Sequence, residues 1–321
     1  MNSHSGTIDV IVSDIESITP LIKVFTLQRS DGRPLPGFSG GSHVLVLIPS
    51  RGKIFRNPYS LMSSPFDTSS YQIGVRRAEQ GRGGSIAMHD EVQVGTRLKI
   101  TQPVNNFPLN KLALKHIFIA GGVGITPVIA QAKDLQVGQI PYEIHYTALS
   151  PDHGAMQHYL DAGPLVKTTL YFNSINRLIN FRQILAQQPL GSHVYICGPA
   201  SMIVDVIAVA RELGWSESHI HWEEFTEQHS GAAFDVRLSR SNLTVNVPPE
   251  LSLLEALEGS GVEVPYLCRG GACGHCETTV LELDGELIHN DIWLSEHQKS
   301  SKQKIMPCVS RANCTRLVLD L

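Results

Sequence analysis

Residues 268–276 read Cys-Arg-Gly-Gly-Ala-Cys-Gly-His-Cys, and a further cysteine follows downstream in Met306-Pro307-Cys308. The pattern C-x4-C-x2-C…C is the ligand spacing of plant-type [2Fe–2S] centres. Two irons bridged by two sulfides need four thiolates, and Cys268, Cys273, Cys276 and Cys308 supply them. Gly270, Gly271 and Gly274 let the loop wrap closely and aim backbone N–H groups at the sulfides. Zinc sites usually pair two C-x2-C knuckles, and here there is one. A thioredoxin-type CxxC precedes a helix in a βαβ unit, and this one does not. A Rieske centre takes two histidines, whereas the loop holds only His275. Cys314 is the spare; it is an alternative to Cys308 as fourth ligand, but a buried or half-buried free thiol is the expectation for it.

The chain has 321 residues, room for two or three domains, and six cysteines. Three of those cysteines fall within nine residues and no export signal precedes them, so a disulfide framework is not expected. The net charge of −4 gives no reason to expect nucleic acid or an anionic membrane as partner. Met1–Val10 lacks the pattern of a signal peptide. The most apolar run, Ile117–Ala130, is too short and too interrupted by glycine and proline to span a bilayer. These features predict a cytoplasmic protein.

Three textures succeed one another. Residues 1–111 carry short alternating strands such as Leu21–Gln28, Val44–Ile48 and Tyr71–Arg77, which predict an antiparallel β-barrel. Residues 112–228 alternate apolar strands (HIFIA, YEIHYTA, HVYIC) with helical stretches such as Ala200–Leu213, which predict an α/β domain with a parallel sheet. Residues 229–233 lie in a polar, small-residue linker, Glu227–Ala233. Residues 234–321 begin with strands Phe234–Leu238 and Leu243–Val247 and a helix over Leu253–Gly259, and they hold the cysteine loop.

In the middle segment, Ile117-Phe-Ile-Ala-Gly-Gly-Val-Gly-Ile-Thr-Pro127 reads as a buried strand, a glycine turn and a helix start. Thr126 is the expected N-cap and Pro127 the first helical residue. Gly122 and Gly124 would let a ligand approach the backbone. Val194-Tyr-Ile-Cys197-Gly198-Pro199 is a second strand ending in a tight turn. Two such turns at the carboxyl ends of parallel strands form a dinucleotide crevice. Cys197 would face it, or would be a small buried hydrophobe. After the strand Glu143–Ala148 comes Asp152 with no Arg or Lys before Lys167, so NADH is expected over NADPH.

In the first segment, Arg56-Asn-Pro-Tyr59-Ser60-Leu61 and Gly81-Arg82-Gly83-Gly84-Ser85 suit a flavin ring and a phosphate monoester respectively, although taken singly Arg56 reads more simply as a surface salt bridge and Tyr59 as a core residue. Electron counting supports a flavin independently. Nicotinamide gives two electrons as hydride, and a [2Fe–2S] cluster takes one at a time. A protein that uses both needs a two-to-one converter.

RNPYSL, GRGGS, GGVGITP, YICGP, HWEEF and CRGGACGHC…MPC, in this order, resemble the phthalate dioxygenase reductase family of the ferredoxin–NADP reductase superfamily, over essentially the whole chain. The resemblance implies an FMN-binding barrel, an NADH-binding domain and a C-terminal β-grasp ferredoxin domain. It implies that Arg56, Tyr59 and Ser60 contact the flavin and ribityl chain, and that Arg82, Gly83, Gly84 and Ser85 bind the phosphate. Gly122, Gly124, Thr126, Cys197, Gly198 and Pro199 would line the nicotinamide path, and Phe225 would stack near the flavin. No acid–base catalyst is implied. Electrons would run from NADH through FMN and the cluster to a separate Rieske-type oxygenase. The RNPYSL form resembles reductases of carnitine and other quaternary-amine oxygenases. The alternatives are a reductase for a diiron or haem oxygenase and a non-enzymatic redox sensor. Acidic residues near Glu277, Glu282, Asp284 and Glu286 either steer docking or form a solvated strand face. Two departures stand out. The family's Arg-x-Tyr-Ser motif gains a residue, Asn57 and Pro58 both lying between Arg56 and Tyr59. Leu149 stands where an Arg commonly precedes the Ser after the second strand.

Overall fold

Valine-rich alternation builds the first sheet. In the computed structural model the strands are β1 (Ile8–Thr19), β2 (Ile22–Arg29), β3 (Ser42–Ser50), β4 (Lys53–Ser60), β5 (Tyr71–Arg76), β6 (Arg97–Ile100) and β7 (Val104–Asn105). The structure describes residues 6–79, 81–150, 155–160, 166–175, 178–225, 232–249, 251–267, 269–271 and 273–321. The sheet runs β4-β3-β6-β1-β2-β5, with β7 on β3, and its pairs are antiparallel. Leu61, just past β4, bridges Ile73 on β5, and the Met62 N–H donates to the Gln72 carbonyl at 2.9 Å. The two ends of the sheet thus meet. Val10, Val12, Phe25, Val44, Val46 and Ile73 fill the interior, and helix α1 (Gly84–Asp90) packs on β3, β4 and β5.

The next sheet is wholly parallel. Its strands β8 (Lys115–Gly121), β9 (Tyr142–Ala148), β10 (Val166–Phe172), β11 (Ser192–Cys197) and β12 (Ile220–Glu223) lie in the order β10-β9-β8-β11-β12. Helices α2 (Ile125–Val137), α3 (Phe181–Ala186) and α4 (Ala200–Glu212) complete it. Phe118, Ala120 and Tyr146 pack with Val128 and Ile129 of α2 on one face. Ile117, Ile119, Val194 and Ile196 pack with Ile203 and Val206 of α4 on the other. Burial on both faces explains why these strands read as continuous apolar runs. The barrel and this sheet form one compact unit. Gln131 on α2 donates to the Phe107 carbonyl at 2.7 Å, and Asp134 accepts from the Gly40 N–H at 3.1 Å.

The second unit comprises residues 80–82 and 226–321. Strands β13 (Phe234–Leu238), β14 (Thr244–Val247), β15 (Thr278–Ile288), β16 (Lys304–Ile305) and β17 (Arg311–Leu319) lie in the order β14-β13-β17-β15-β16. β13 and β17 are parallel and the other pairs antiparallel. Helix α5 (Leu253–Gly259) crosses the sheet, burying Leu253, Leu254 and Leu257 against Val236, Val245, Ile305 and Leu317. It opens with a capping box: the Ser252 hydroxyl accepts from the Glu255 N–H at 3.2 Å, and the Glu255 carboxylate accepts from the Ser252 N–H at 2.9 Å. A short α6 (Glu296–Ser301) precedes β16. Most of the expected linker, and Asp152 with it, lies outside the described residues. Among the described residues no helix is long and apolar enough to cross a membrane.

Candidate functional site

Three of the four expected cluster cysteines are described. Cys276 (3% exposed) and Cys308 (2%) are buried beside the core of the second unit, and Cys273 is half-buried. Cys268 lies outside the described residues, and among those described no three Cys, His, Asp or Glu side chains converge on a single ion position. The loop between them has the shape that close wrapping needs. Gly274 has φ +76°, and a Cβ there would sit 2.6 Å from Cζ2 and 2.8 Å from Nε1 of Trp293. The Ile292 N–H donates to the Gly271 carbonyl at 3.2 Å. The Cys308 turn is fixed separately: the Leu254 N–H at the start of α5 donates to the Pro307 carbonyl at 2.9 Å. Buried sulfurs in a glycine loop with left-handed backbone fit a [2Fe–2S] cluster. Cys314, on β17, is half-buried as expected, and burial raises its thiol above the usual value.

Sequence reasoning overlooked Arg269 in this loop. Its side chain is only 3% exposed, ion-paired with Glu258 of α5 and stacked 3.9 Å over the Tyr266 ring. The Arg inside CRGGAC was the available signal, since an arginine amid glycines and cysteines has little loop-forming use of its own. Two residues of the acidic stretch are matched by cations: Glu277 pairs with Lys304, and Glu282 pairs with Arg316 at 2.6 Å.

At the parallel sheet, β8 has β9 on one side and β11 on the other, so the strand order reverses there. The carboxyl ends of β8 and β11 therefore mark the switch point at which ligands of such sheets bind. Both glycine turns sit at these ends, and they pack backbone to backbone. A Cβ on Gly124 would lie 2.6 Å from the Cys197 carbonyl carbon and 2.8 Å from Gly198 N. Gly124 is thus used for packing. Gly122, with φ +55° and no atom within 4 Å of an added Cβ, is the one with open space. The helix start differs from expectation. Residues Gly122–Gly124 form a 3-10 turn running straight into α2, whose N-cap is Gly124. Thr126 lies inside the helix, buried, and its hydroxyl donates to the Val123 carbonyl at 3.0 Å. Its methyl faces Gly74 of β5, where an added Cβ would come within 2.7 Å.

Cys197 ends β11 fully buried, in register with Glu223 of β12. Burial pushes its thiol well above the usual value, and the nearby Glu223 charge adds to this. The sulfur is a neutral thiol near neutral pH, suited to shaping a wall and unsuited to nucleophilic chemistry. Pro199 is the N-cap residue of α4. Phe225, just past β12, is 39% exposed.

In the barrel, Tyr59 is half-buried against the core, and burial raises its phenol, so it stays a neutral hydroxyl. Ser60 is buried and pairs across the strands with His43, whose Nδ1 has no hydrogen-bond partner among the described residues. A buried polar atom without a partner, beside a buried hydroxyl, fits a polar cofactor at this end of β4. Gly84 and Ser85 begin α1, preceded by Gly83 at φ +103°. The Ser85 hydroxyl accepts from the Ala78 N–H at 3.1 Å. Arg82 groups with the second unit and is ion-paired there with Glu255, both side chains nearly fully buried.

Known proteins match along the same lines. A family model described as "2Fe-2S iron-sulfur cluster binding domain" covers residues 236–313. Another, described as "Dimethylamine monooxygenase subunit DmmA-like, N-terminal domain", covers residues 96–220. The solved phthalate dioxygenase reductase, described as a modular structure for electron transfer from pyridine nucleotides to [2Fe-2S], superposes with a TM-score of 0.86 at 33% identity over 98% of each chain. The chain belongs to the phthalate dioxygenase reductase family. Within this family, the carnitine monooxygenase reductase subunit of Acinetobacter baumannii is 42% identical over 100% of both chains. The beta subunit of the haem-dependent oxidative N-demethylase of Ectopseudomonas mendocina is 41% identical over 99% of this chain and 100% of its own. Membership makes this chain an oxidoreductase of the electron-transfer kind, a reductase subunit that serves an oxygenase, with the three-sheet fold expected from its sequence.

Proposed function

We propose that the chain draws electrons from NADH and delivers them, through FMN and a [2Fe–2S] cluster, to a separate Rieske-type oxygenase acting on a methylated or quaternary amine. The observation that carries this reading is the conjunction in one chain of a glycine-lined switch point, a barrel with an unpaired buried polar atom beside Ser60, and a wrapped cysteine loop. When bound, the flavin supplies conversion of two-electron to one-electron transfer, and a plant-type cluster supplies a potential near roughly −400 mV.

The residues of the chain bind and orient. Cys268, Cys273, Cys276 and Cys308 hold the cluster, and the Arg269–Glu258 pair fixes the loop to α5. Tyr59, Ser60 and Gly83–Ser85 hold FMN; Arg82, expected at its phosphate, is instead engaged by Glu255. Gly122 and the Gly198–Pro199 turn line the nicotinamide path, with the neutral Cys197 thiol buried behind it; Phe225 flanks the flavin. Residues 1–111, 112–228 and 234–321 serve flavin, NADH and cluster respectively. The protein works in the cytoplasm.

A haem enzyme as electron acceptor is the second reading, favoured by the haem-dependent oxidative N-demethylase relative. Anaerobic purification with iron, sulfide and flavin analysis tests the cofactor set; colourless, iron-free protein refutes it. Stopped-flow reduction of a carnitine-type Rieske oxygenase and of a haem N-demethylase, with NADH and NADPH at equal concentration, decides acceptor and donor.

A further inference from the structure

β4 sends the polar residues of the flavin region to opposite faces. Its register with β3 pairs Val44 with Tyr59, Val46 with Asn57 and Ile48 with Phe55. Residues directly opposite in an antiparallel pair share a face. Those three β3 side chains are wholly buried in the barrel core, and Phe55 and Tyr59 pack against it. Arg56, Pro58 and Ser60 alternate with them and pair with Leu47, Leu45 and His43 on the other face. Arg56 lies three residues from Tyr59, an odd separation, so in a strand the two cannot share a side. The extra residue in RNPYS has therefore moved the arginine off the tyrosine's face and put Asn57 in its place.

Asn57 also makes the contacts that such a position offers. Its Nδ2 lies 3.4 Å from the Tyr59 hydroxyl. Its carboxamide fills the space over Gly84 at the start of α1: a Cβ there would sit 2.6 Å from Oδ1 and 2.8 Å from Nδ2. A single side chain thus reaches both the tyrosine and the glycine turn. A carboxamide carries two donors and one acceptor oxygen, enough to serve a neighbour on each side.

We propose that Asn57, and not Arg56, is the polar residue that holds the flavin on Tyr59's face, where FMN is gripped through a neutral carboxamide instead of a guanidinium, while Ser60 reaches the flavin from the last position of β4. The proposal rests on the FMN site described under the proposed function. Full-length protein stripped of flavin is titrated with FMN, binding being followed by quenching of flavin fluorescence; apoprotein melting temperature is recorded for every variant. Asn57→Ala weakens FMN binding about tenfold or more, the loss expected when hydrogen bonds in a half-buried site go unmade. Arg56→Ala stays within about twofold of wild type, and Asn57→Asp, which keeps the shape and adds a negative charge, weakens binding beyond Asn57→Ala. Arg56→Ala weakening FMN as much as Asn57→Ala overturns the proposal, as does Asn57→Ala binding like wild type. If Asn57→Ala does not fold, Asn57→Ser takes its place, and a tenfold loss in Arg56→Ala alone is enough to refute. Wild-type apoprotein that takes up no FMN refutes the underlying site, a result distinct from any pattern among the variants.

Discussion

Alanine at Gly124 tests the packing of the two glycine turns. The new methyl would stand 2.6 Å from the Cys197 carbonyl carbon and nearer still to its oxygen, where ordinary contact begins at 3.4 Å, so the β8 and β11 turns must part by more than about 0.8 Å. Both obstacles are backbone and neither can rotate away. Overpacking of this kind costs about 1–3 kcal/mol. In a unit of this size that lowers the melting temperature by roughly 2–4 °C per kcal/mol. The same shift opens the switch-point crevice, so KM for NADH rises as well. Two neighbouring alanines calibrate the effect. At Gly198 the nearest obstacle is the flexible Met202 methyl, at 2.5 Å, with Gly121 N next at 3.0 Å, so the cost is smaller. At Gly122 there is open space but a φ of +55°, which costs about 1–2 kcal/mol for an L-residue without any clash. Differential scanning calorimetry and steady-state NADH oxidation with ferricyanide read both quantities. Gly124→Ala melting within a degree of wild type with unaltered KM would refute the close-packed arrangement.

Other substitutions probe the remaining parts. Cys273→Ser should remove the cluster's visible absorbance and cytochrome c reduction yet keep NADH–ferricyanide turnover; loss of flavin in that variant would contradict the assignment of flavin and cluster to separate parts of the chain. Glu258→Ala leaves the Arg269 guanidinium buried without its carboxylate, at a cost of about 3–5 kcal/mol, and should speed hydrogen exchange across residues 253–276; unchanged protection argues against that anchor. His116 and His221 have pKa values pushed down to about 4, mainly by burial and further by the neighbouring His193. Unfolded histidine titrates near 6.5, so the unfolded chain binds more protons between these values and stability falls as pH drops from about 6.5 to about 4. For His116 the full loss is on the order of 3 kcal/mol. A flat melting profile across that window, or one that His116→Phe leaves unchanged, would show that these rings do not govern it.

Local signals were legible and long-range ones were not. The helix over Leu253–Gly259 was legible because its determinants are local: Ser252 and Glu255, three positions apart, form the capping box that sets its start. The strands of the parallel sheet were readable because burial on both faces demands unbroken apolar runs. The start of α2 was misread: Thr126 looks like a cap, but the preceding 3-10 turn already supplies the helical register, and the hydroxyl donates backwards instead of accepting. The separation of Arg56 from Tyr59 followed from parity alone, once β4 was extended back to Lys53. Pairing of Arg82 with Glu255, 173 positions on, has no local trace. Neither does the roof that Trp293 places over Gly274, since only folding returns the segment between β15 and α6 to the cysteine loop.

In the C-terminal sheet the middle strand, β17, is translated after all four of its sheet companions. Until it slots in, β14-β13 and β15-β16 are two detached ribbons, and nothing ties Arg237 and Leu238 to Val318 and Leu319. The cysteine loop therefore leaves the ribosome before the strand that joins the two halves of its scaffold. A stop codon at Ser310 would spare every sulfur expected to bind the metal and still leave two unjoined ribbons to carry them.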